Sequence, residues 1–184
     1  VGFRAPTFSI QRQTGWALDV LAELDMAYDS SIYPVRHDRY GVPSAPRGPF
    51  LARGERHSLL ELPPATLRLC GLNLPMGGGG YFRLFPLFLT RQAIEQTSRD
   101  CEPSVATLYF HPWEFDPQQR RLPLRWLSRL RTYVGIHRSQ RRMAALLGQY
   151  RFSRAVDVAK QMNHLLHPLP CFDVAARVVE RSAV

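Results

Sequence analysis

Residues 104–117, SVATLYFHPWEFDP, limit what this chain can fold into more than any other stretch. Residues 105–110 are apolar, aromatic or β-branched and carry no charge. The run is too short for a typical helix, so it predicts a buried strand. His111 follows at once, and Pro112, with no N–H to offer a ladder, stops the strand there. Trp113, Glu114 and Asp116 then make a loop with an aromatic face and two carboxylates, closed by Pro117. In α/β folds the C-terminal strand ends present reactive side chains, so a strand that stops on a histidine points to an active rim. The competing reading is a strand-end histidine that only hydrogen-bonds its own turn.

The rest of the chain has the same α/β rhythm. Residues 2–10 predict a short strand entering a loop, with Arg4 between Phe3 and Ala5 and Pro6 fixing the backbone beyond. An arginine in so apolar a setting needs a partner, usually a carboxylate gripped bidentately. Thr14 is placed to cap a helix whose apolar face is Ala17, Val20, Leu21 and Leu24, extended by Trp16. Residues 25–28 lead into a second strand and then Asp29-Ser30-Ser31, which reads either as a functional carboxylate or as an ordinary turn. Residues 34–49 are dense in Pro and Gly and predict a loop carrying Arg36, His37, Asp38, Arg39 and Tyr40. With Tyr33, these are candidate substrate contacts, since adjacent His37 and Asp38 do not make a metal site by themselves.

Residues 58–62 predict a strand, with 66–69 as its candidate partner. The four glycines at 77–80 are contiguous and no Gly-Lys-Ser/Thr follows, which excludes a phosphate loop. Close backbone approach or positive φ explains them better, setting Tyr81, Phe82 and Arg83 in place, with Phe85, Leu87 and Phe88 in the core. A helix over 90–97 turns Ala93, Ile94 and Thr97 inward. Beyond Pro117 the chain becomes basic. Ser139 is placed to cap a helix with Met143, Leu146 and Leu147 inward and Arg141 and Arg142 outward, ended by Gly148. Residues 150–152 predict a last short strand and 156–163 a helix. Asp173 caps a final helix with Val174, Ala175, Val178 and Val179 apolar.

The 184 residues suffice for one domain with a sizeable core, and 45% apolar against 21% charged residues marks a globular chain. The formal charge of +9 is carried almost wholly by arginine, Lys160 being the single lysine. The arginines read as scattered and no compact recognition motif is present, so a nucleic-acid-binding module is the weakest reading. An anionic polysaccharide or membrane surface accounts for the charge equally well, and so does a GC-rich genome that codes arginine in place of lysine. Cys70, Cys101 and Cys171 are far apart with no Cys-x-x-Cys, which indicates neither a zinc site nor a disulfide framework. His164 and His167 share a helical face, but Pro168 follows and no acid is near, so they read as surface residues. No run reaches the length of a membrane-spanning helix.

Four segments in order, VGFRAPTFSI, YDSSIYP, GGGGYFRLFP and YFHPWE, resemble the NodB-like polysaccharide deacetylases of the carbohydrate esterase type. The bacterial exopolysaccharide-associated branch, with its C-terminal extension, is the most similar, and the resemblance spans residues 1–152. The Thr-Phe-Asp-Asp segment and His-x-x-x-His pair of that family do not occur here, so the chain resembles the C-terminal portion of such an enzyme. The fold implied is α/β: the C-terminal part of a distorted (β/α) deacetylase barrel over 1–117, then a mostly helical extension over 118–184.

The activity implied by the resemblance is metal-dependent hydrolysis of the N-acetyl amide of amino-sugar residues in a bacterial exopolysaccharide. His111 would be the general acid, Asp29 would orient it, and Arg4 would anchor a base aspartate lying upstream. The backbone N–H of Thr7 would hold the oxyanion, and Tyr81, Trp113 and Tyr40 would contact the sugar. The divalent metal, zinc in most such enzymes, would have its ligands upstream of Val1, so the chain alone is expected to hold no catalytic metal and to be inactive. The implied partner is the polysaccharide and not nucleic acid. Peripheral association with the membrane or with exopolysaccharide assembly machinery is also implied, in the cytoplasm or periplasm of a Gram-negative bacterium. The competing reading is a non-catalytic carbohydrate-binding or scaffold remnant.

Overall fold

The computed structural model describes residues 1–162 and 169–175. Among them the strands are β1 (Gly2–Phe3), β2 (Tyr28–Asp29), β3 (Phe50–Arg53), β4 (Ser58–Glu61), β5 (Thr66–Leu69), β6 (Leu72–Pro75) and β7 (Cys171–Asp173). The helices are α1 (Ala17–Glu23), α2 (Gly79–Leu84), α3 (Leu87–Asp100), α4 (Trp126–Tyr133), α5 (Ile136–Leu147) and α6 (Ala155–Met162). Five strands form one sheet in the order β1-β2-β4-β3-β7, and β5 and β6 form a separate hairpin. β1, β2 and β4 run parallel, β3 runs antiparallel to β4, and β7 is parallel to β3. The architecture is mixed α/β, and over the described residues the sheet stays open, with β1 and β7 at its edges.

Alternation along β4 shows how the sheet is covered on both faces. Leu59 joins a core of Leu18, Leu21, Ile32, Val42, Phe50 and Val174. Its neighbour Leu60 points the other way, into a cluster with Leu62, Ala159 and Val158 of α6. Register sets the rim: Phe3 lies opposite Asp29, and Asp29 opposite Glu61. The next residues, Arg4, Ser30 and Leu62, therefore leave the three parallel strands side by side.

Several local expectations are corrected. The strand predicted over 105–110 is a half-buried extended segment with two isolated parallel bridges, Thr107 to Pro64 and Tyr109 to Gly78. Its bridge partners Pro64 and Gly78 lie in irregular segments rich in Pro and Gly, so no ladder propagates. Residues 66–69 pair with β6 and not with β4, because Pro63 and Pro64 break the chain between them and Cys70 and Gly71, both at positive φ, close a tight hairpin. The first strand stops at Phe3. Residues 150–152 form no strand, and Cys171–Asp173 is the edge strand β7, so Asp173 is not a helix cap. The final helix expected around Val178 and Val179, and the pair His164 and His167, lie outside the described residues.

α1 is rotated from its predicted face: Leu18, Asp19 and Leu21 are buried, whereas Val20, Leu24 and Trp16 are exposed. Asp19 explains the rotation. Its carboxylate accepts the backbone N–H groups of Glu55, Arg56 and His57 at 2.8, 2.9 and 2.7 Å, closing the β3–β4 turn. Burial by itself would raise its pKa, but the three amides outweigh it and the pKa is lowered. Thr14 caps no helix here; it closes the turn Arg12–Thr14, accepting the N–H of Gln11 at 2.9 Å. Phe85, Phe88 and Leu147 are exposed, not core, and Phe82 is the buried ring of α2. Ser139 lies inside α5, whose N-cap is Gly135 in the left-handed region. Arg142, expected outward, donates to the carbonyls of Phe82 and Phe85 at 2.6 and 2.9 Å and ties α5 to α2.

Candidate functional site

The rim gathers most of the residues singled out from sequence. Arg4 leaves β1 and donates from Nε to the carbonyl of Ser30 at 2.8 Å and from Nη2 to its hydroxyl at 2.6 Å. Its guanidinium covers the Tyr109 ring with 4.7 Å to the centroid. Its direct partner is thus a serine, not the carboxylate expected from its apolar setting, although Glu61 and Asp29 lie close enough to act on its charge. Burial lowers the Arg4 pKa against the opposing pull of Tyr109, Glu61 and Asp29.

Phe8 follows in the turn Pro6–Phe8, and its ring lies 5.2 Å from Tyr109, 5.6 Å from Tyr40 and 5.1 Å from Tyr33. Thr7 and Phe8 both have positive φ, 55° and 54°. Residues other than Gly hold that conformation at a cost of about 1–3 kcal/mol each, and it recurs at ligand-binding loops. Tyr40 stacks on His37 at 3.9 Å, and Tyr81 lies near enough to act on its phenol, whose pKa is raised chiefly by burial. Tyr109 is pushed up to about 12, chiefly by burial and in spite of Arg4. It stays a neutral phenol, an aromatic floor between Arg4 and His111.

His111 sits 6.4 Å from the Tyr109 ring and stacks on Trp113 at 5.9 Å. Its side chain is 60% exposed, yet a carboxylate stands behind it that is only 3% exposed, that of Glu114. Glu114 Oε2 accepts the backbone N–H of His111 at 2.9 Å and lies 3.5 Å from its Nδ1. Its Oε1 accepts Nε–H of Arg83 at 3.2 Å. Arg83 is anchored in turn by donating to the carbonyls of Thr132 and Val134, at 2.8 and 2.9 Å, and it covers the Trp113 ring at 5.1 Å.

The glycine run makes this arrangement possible by close approach. A Cβ at Gly79 would overlap the Glu114 carboxylate, one at Gly78 would overlap the Tyr109 hydroxyl, and one at Gly77 would stand 2.7 Å from the Ala65 nitrogen. None of the four has positive φ, which decides between the two uses proposed for them.

Asp29 is placed under Arg4 and fully buried. Its Oδ1 accepts the Ser31 hydroxyl at 2.6 Å, and Ser31 accepts the Ala5 N–H at 2.7 Å. Across the sheet stands Glu61, also fully buried, whose Oε1 accepts the Ile32 N–H at 3.0 Å. Asp29 Oδ2 and Glu61 Oε2 are buried and meet no amide, hydroxyl or guanidinium donor, a setting that favours a proton held between the two carboxyls. Burial raises the pKa of both, and for Glu61 the charge of Asp29 adds to it. The carboxylate against His111 is that of Glu114, while Asp29 is engaged with Ser31 and Glu61.

Arg4, Tyr40, Tyr81, His111 and Trp113 thus come together, with Thr7 in the adjoining turn. Glu61, Ser30, Arg83 and Tyr109 were not assigned roles from sequence, and Glu114 was read only as a loop carboxylate. One signal was available: a glutamate three residues after His111, with Pro between, has capping-box spacing.

Among the described residues no group of three or more His, Cys, Asp or Glu side chains is placed to share a metal ion. These residues do not fit a resident metal by themselves. No curated protein and no solved structure matches the chain. Residues 30–160 match the family described as a domain of unknown function, DUF3473. That match takes in well over half of the sequence, and the chain belongs to the DUF3473 family.

Proposed function

We propose that this chain forms the proton-donating side of a polysaccharide deacetylase that hydrolyses the N-acetyl amide of amino-sugar residues in a bacterial exopolysaccharide. The observation that carries the reading is the exposed His111 imidazole, backed on its Nδ1 side by the buried, arginine-anchored Glu114. Nδ1 faces the carboxylate, so Nε2 is turned away from it toward the open rim. When the amide C–N bond breaks, the bonding pair goes to nitrogen, which takes its proton from Nε2 and departs as the amine. The acyl carbon is attacked by a water that gives its proton to a carboxylate base, as the resemblance implies, and leaves as acetate. Glu114 is the positioning residue: a carboxylate against Nδ1 fixes the orientation of the ring and leaves Nε2 to give the proton.

Other features support the same reading. The paired positive φ values at Thr7 and Phe8 fit a loop shaped to aim a backbone N–H at a developing oxyanion. Tyr40, Tyr81 and the partly exposed Trp113 supply flat faces suited to a sugar ring. The parallel run β1-β2-β4, with the rim that ends it, supports reading this chain as part of such a barrel.

The test is His111→Ala in the full-length protein, checked for native circular dichroism, with acetate release and bound metal measured together. General acid catalysis is typically worth about 10²–10⁴-fold, so kcat should fall by that factor while glycan and metal binding persist. Turnover near that of the wild type would remove the claim, and a parallel loss of metal would make His111 a ligand instead.

A further inference from the structure

The positive charge, read as scattered along the sequence, is in fact segregated. Between Asp116 and Asp157 there are ten arginines and no acidic residue. The remainder, with 14 basic and 15 acidic residues, is close to neutral. α4 lies within this cationic segment, and none of its residues is buried. Trp126 is 76% exposed, and Leu122, Leu127 and Leu130 are exposed with it. At about 100° per residue, Trp126, Leu127 and Leu130 fall on one face of the helix, with Arg129 and Arg131 at its two margins. The C-terminal end of α4 is attached to the body: Thr132 and Val134 accept from Arg83, and the Tyr133 hydroxyl accepts the N–H of Leu122 at 2.8 Å.

A soluble polyanion would satisfy the arginines and leave Trp126, Leu127 and Leu130 in water. A second protein surface would satisfy the apolar face but would need matching acids for a segment that has none. A bilayer with anionic headgroups offers both a negative surface and an apolar sink a few ångströms beneath it. There the indole and leucines enter the acyl boundary while the arginine stems reach back to the phosphates. Among the described residues no helix is long and apolar enough to cross a membrane, so the contact lies in the plane of the surface. We propose that α4 and the basic residues preceding it form a docking surface for anionic phospholipid bilayers. This inference is independent of the reaction assigned to His111.

Cosedimentation of the full protein with vesicles of phosphatidylcholine, with and without phosphatidylglycerol, tests it. Binding should require phosphatidylglycerol, weaken with salt, and shift tryptophan emission to the blue, the shift disappearing in Trp126→Phe. Arg125→Gln/Arg129→Gln should weaken binding about 25-fold, at about fivefold per arginine. Trp126→Ala/Leu130→Ala should also lose most of the binding; all four positions are exposed, and circular dichroism verifies the fold. No binding to anionic vesicles, or equal binding to neutral ones, overturns the proposal. So does full binding by Trp126→Ala/Leu130→Ala, which would mark a purely electrostatic surface. A dimer in sedimentation velocity that this same variant dissolves would assign the face to a second copy instead.

Discussion

On one side of the rim Arg83 reaches Glu114 directly at 3.2 Å, and each of the two side chains is only 3% exposed. On the other side Arg4 stops at Ser30, and the buried Asp29 and Glu61 are left to each other. The two regions solve the same problem, carboxyl groups taken out of water, by opposite means. Around Glu114 the negative charge is kept and matched by a guanidinium that is itself satisfied by carbonyls. A charge kept in that way has a fixed direction, and its second oxygen can hold His111. Around Asp29 burial raises the pKa of both carboxyls and so favours the neutral form of one of them. The pair faces across the register of β2 and β4, near Arg4. The charged site is suited to orient a proton donor; the protonated site is suited to hold a frame.

The sharpest way to break that comparison is Arg83→Met. It leaves a buried carboxylate without its cation, a change that costs about 3–5 kcal/mol in general. Arg4→Met removes hydrogen bonds to a serine and no direct ion pair, and should cost about 1–3 kcal/mol. Urea denaturation of both variants gives the order. If Arg4→Met proves the more damaging, the direct contact of Arg83 with Glu114 is not the distinguishing feature. Under the function proposed above, in which Glu114 positions His111, Arg83→Met should also lower kcat in the folded fraction, and Glu114→Asp should recover more turnover than Glu114→Ala.

Strand endings and aromatic partners were largely legible in the sequence, because local chemistry sets them. The exits at Arg4, Ser30 and Leu62 fall close to where the apolar runs stop, and Tyr40, Tyr81, His111 and Trp113 gather as their motifs imply. What could not be read is which acid meets which base. Asp29 meets Glu61 only because of the register of two strands far apart in the chain. A local reading of Asp29-Ser30-Ser31 sees a turn. Asp19 shows the same limit: its helix satisfies a periodic apolar face, but the rotation is set by three amides from a turn between β3 and β4. Residues 105–110 look like a strand by composition, and the missing information was that their neighbours, around Pro64 and Gly78, are irregular segments.

Ser30 sharpens the comparison at a smaller scale. Its hydroxyl accepts from Arg4 and donates to the carbonyl of Leu62, so it bridges β1 and the exit of β4. Ser30→Ala leaves a buried carbonyl and part of a half-buried guanidinium without that oxygen, a loss of about 1–3 kcal/mol. The effect should stay well below that of Arg83→Met. A loss as large would mean that Ser30 is the actual counterpart of Glu114, and that Arg4 depends on it as Arg83 depends on its carboxylate.

Glu61→Gln should have the smallest effect, and its sign with pH is what matters. Both Asp29 and Glu61 have raised pKa values, burial being the largest cause for each. The native state therefore keeps a proton that the unfolded chain releases once pH exceeds the ordinary carboxylate range. The stability contributed by the pair is complete below that range and is lost as pH rises through it toward the raised native values. Glutamine cannot ionise. Its Oε1 can still accept from the Ile32 N–H, and its amide N–H can donate to Asp29 in the place of a carboxyl proton. Near the lower end, at about pH 5, the variant should match the wild type within ~0.5 kcal/mol; by about pH 8 it should be the more stable of the two. Urea midpoints across that interval measure the difference. A gap that stays flat or closes with rising pH would show both carboxyls ionised under the charge of Arg4, and the two sides of the rim would then be built on the same principle after all.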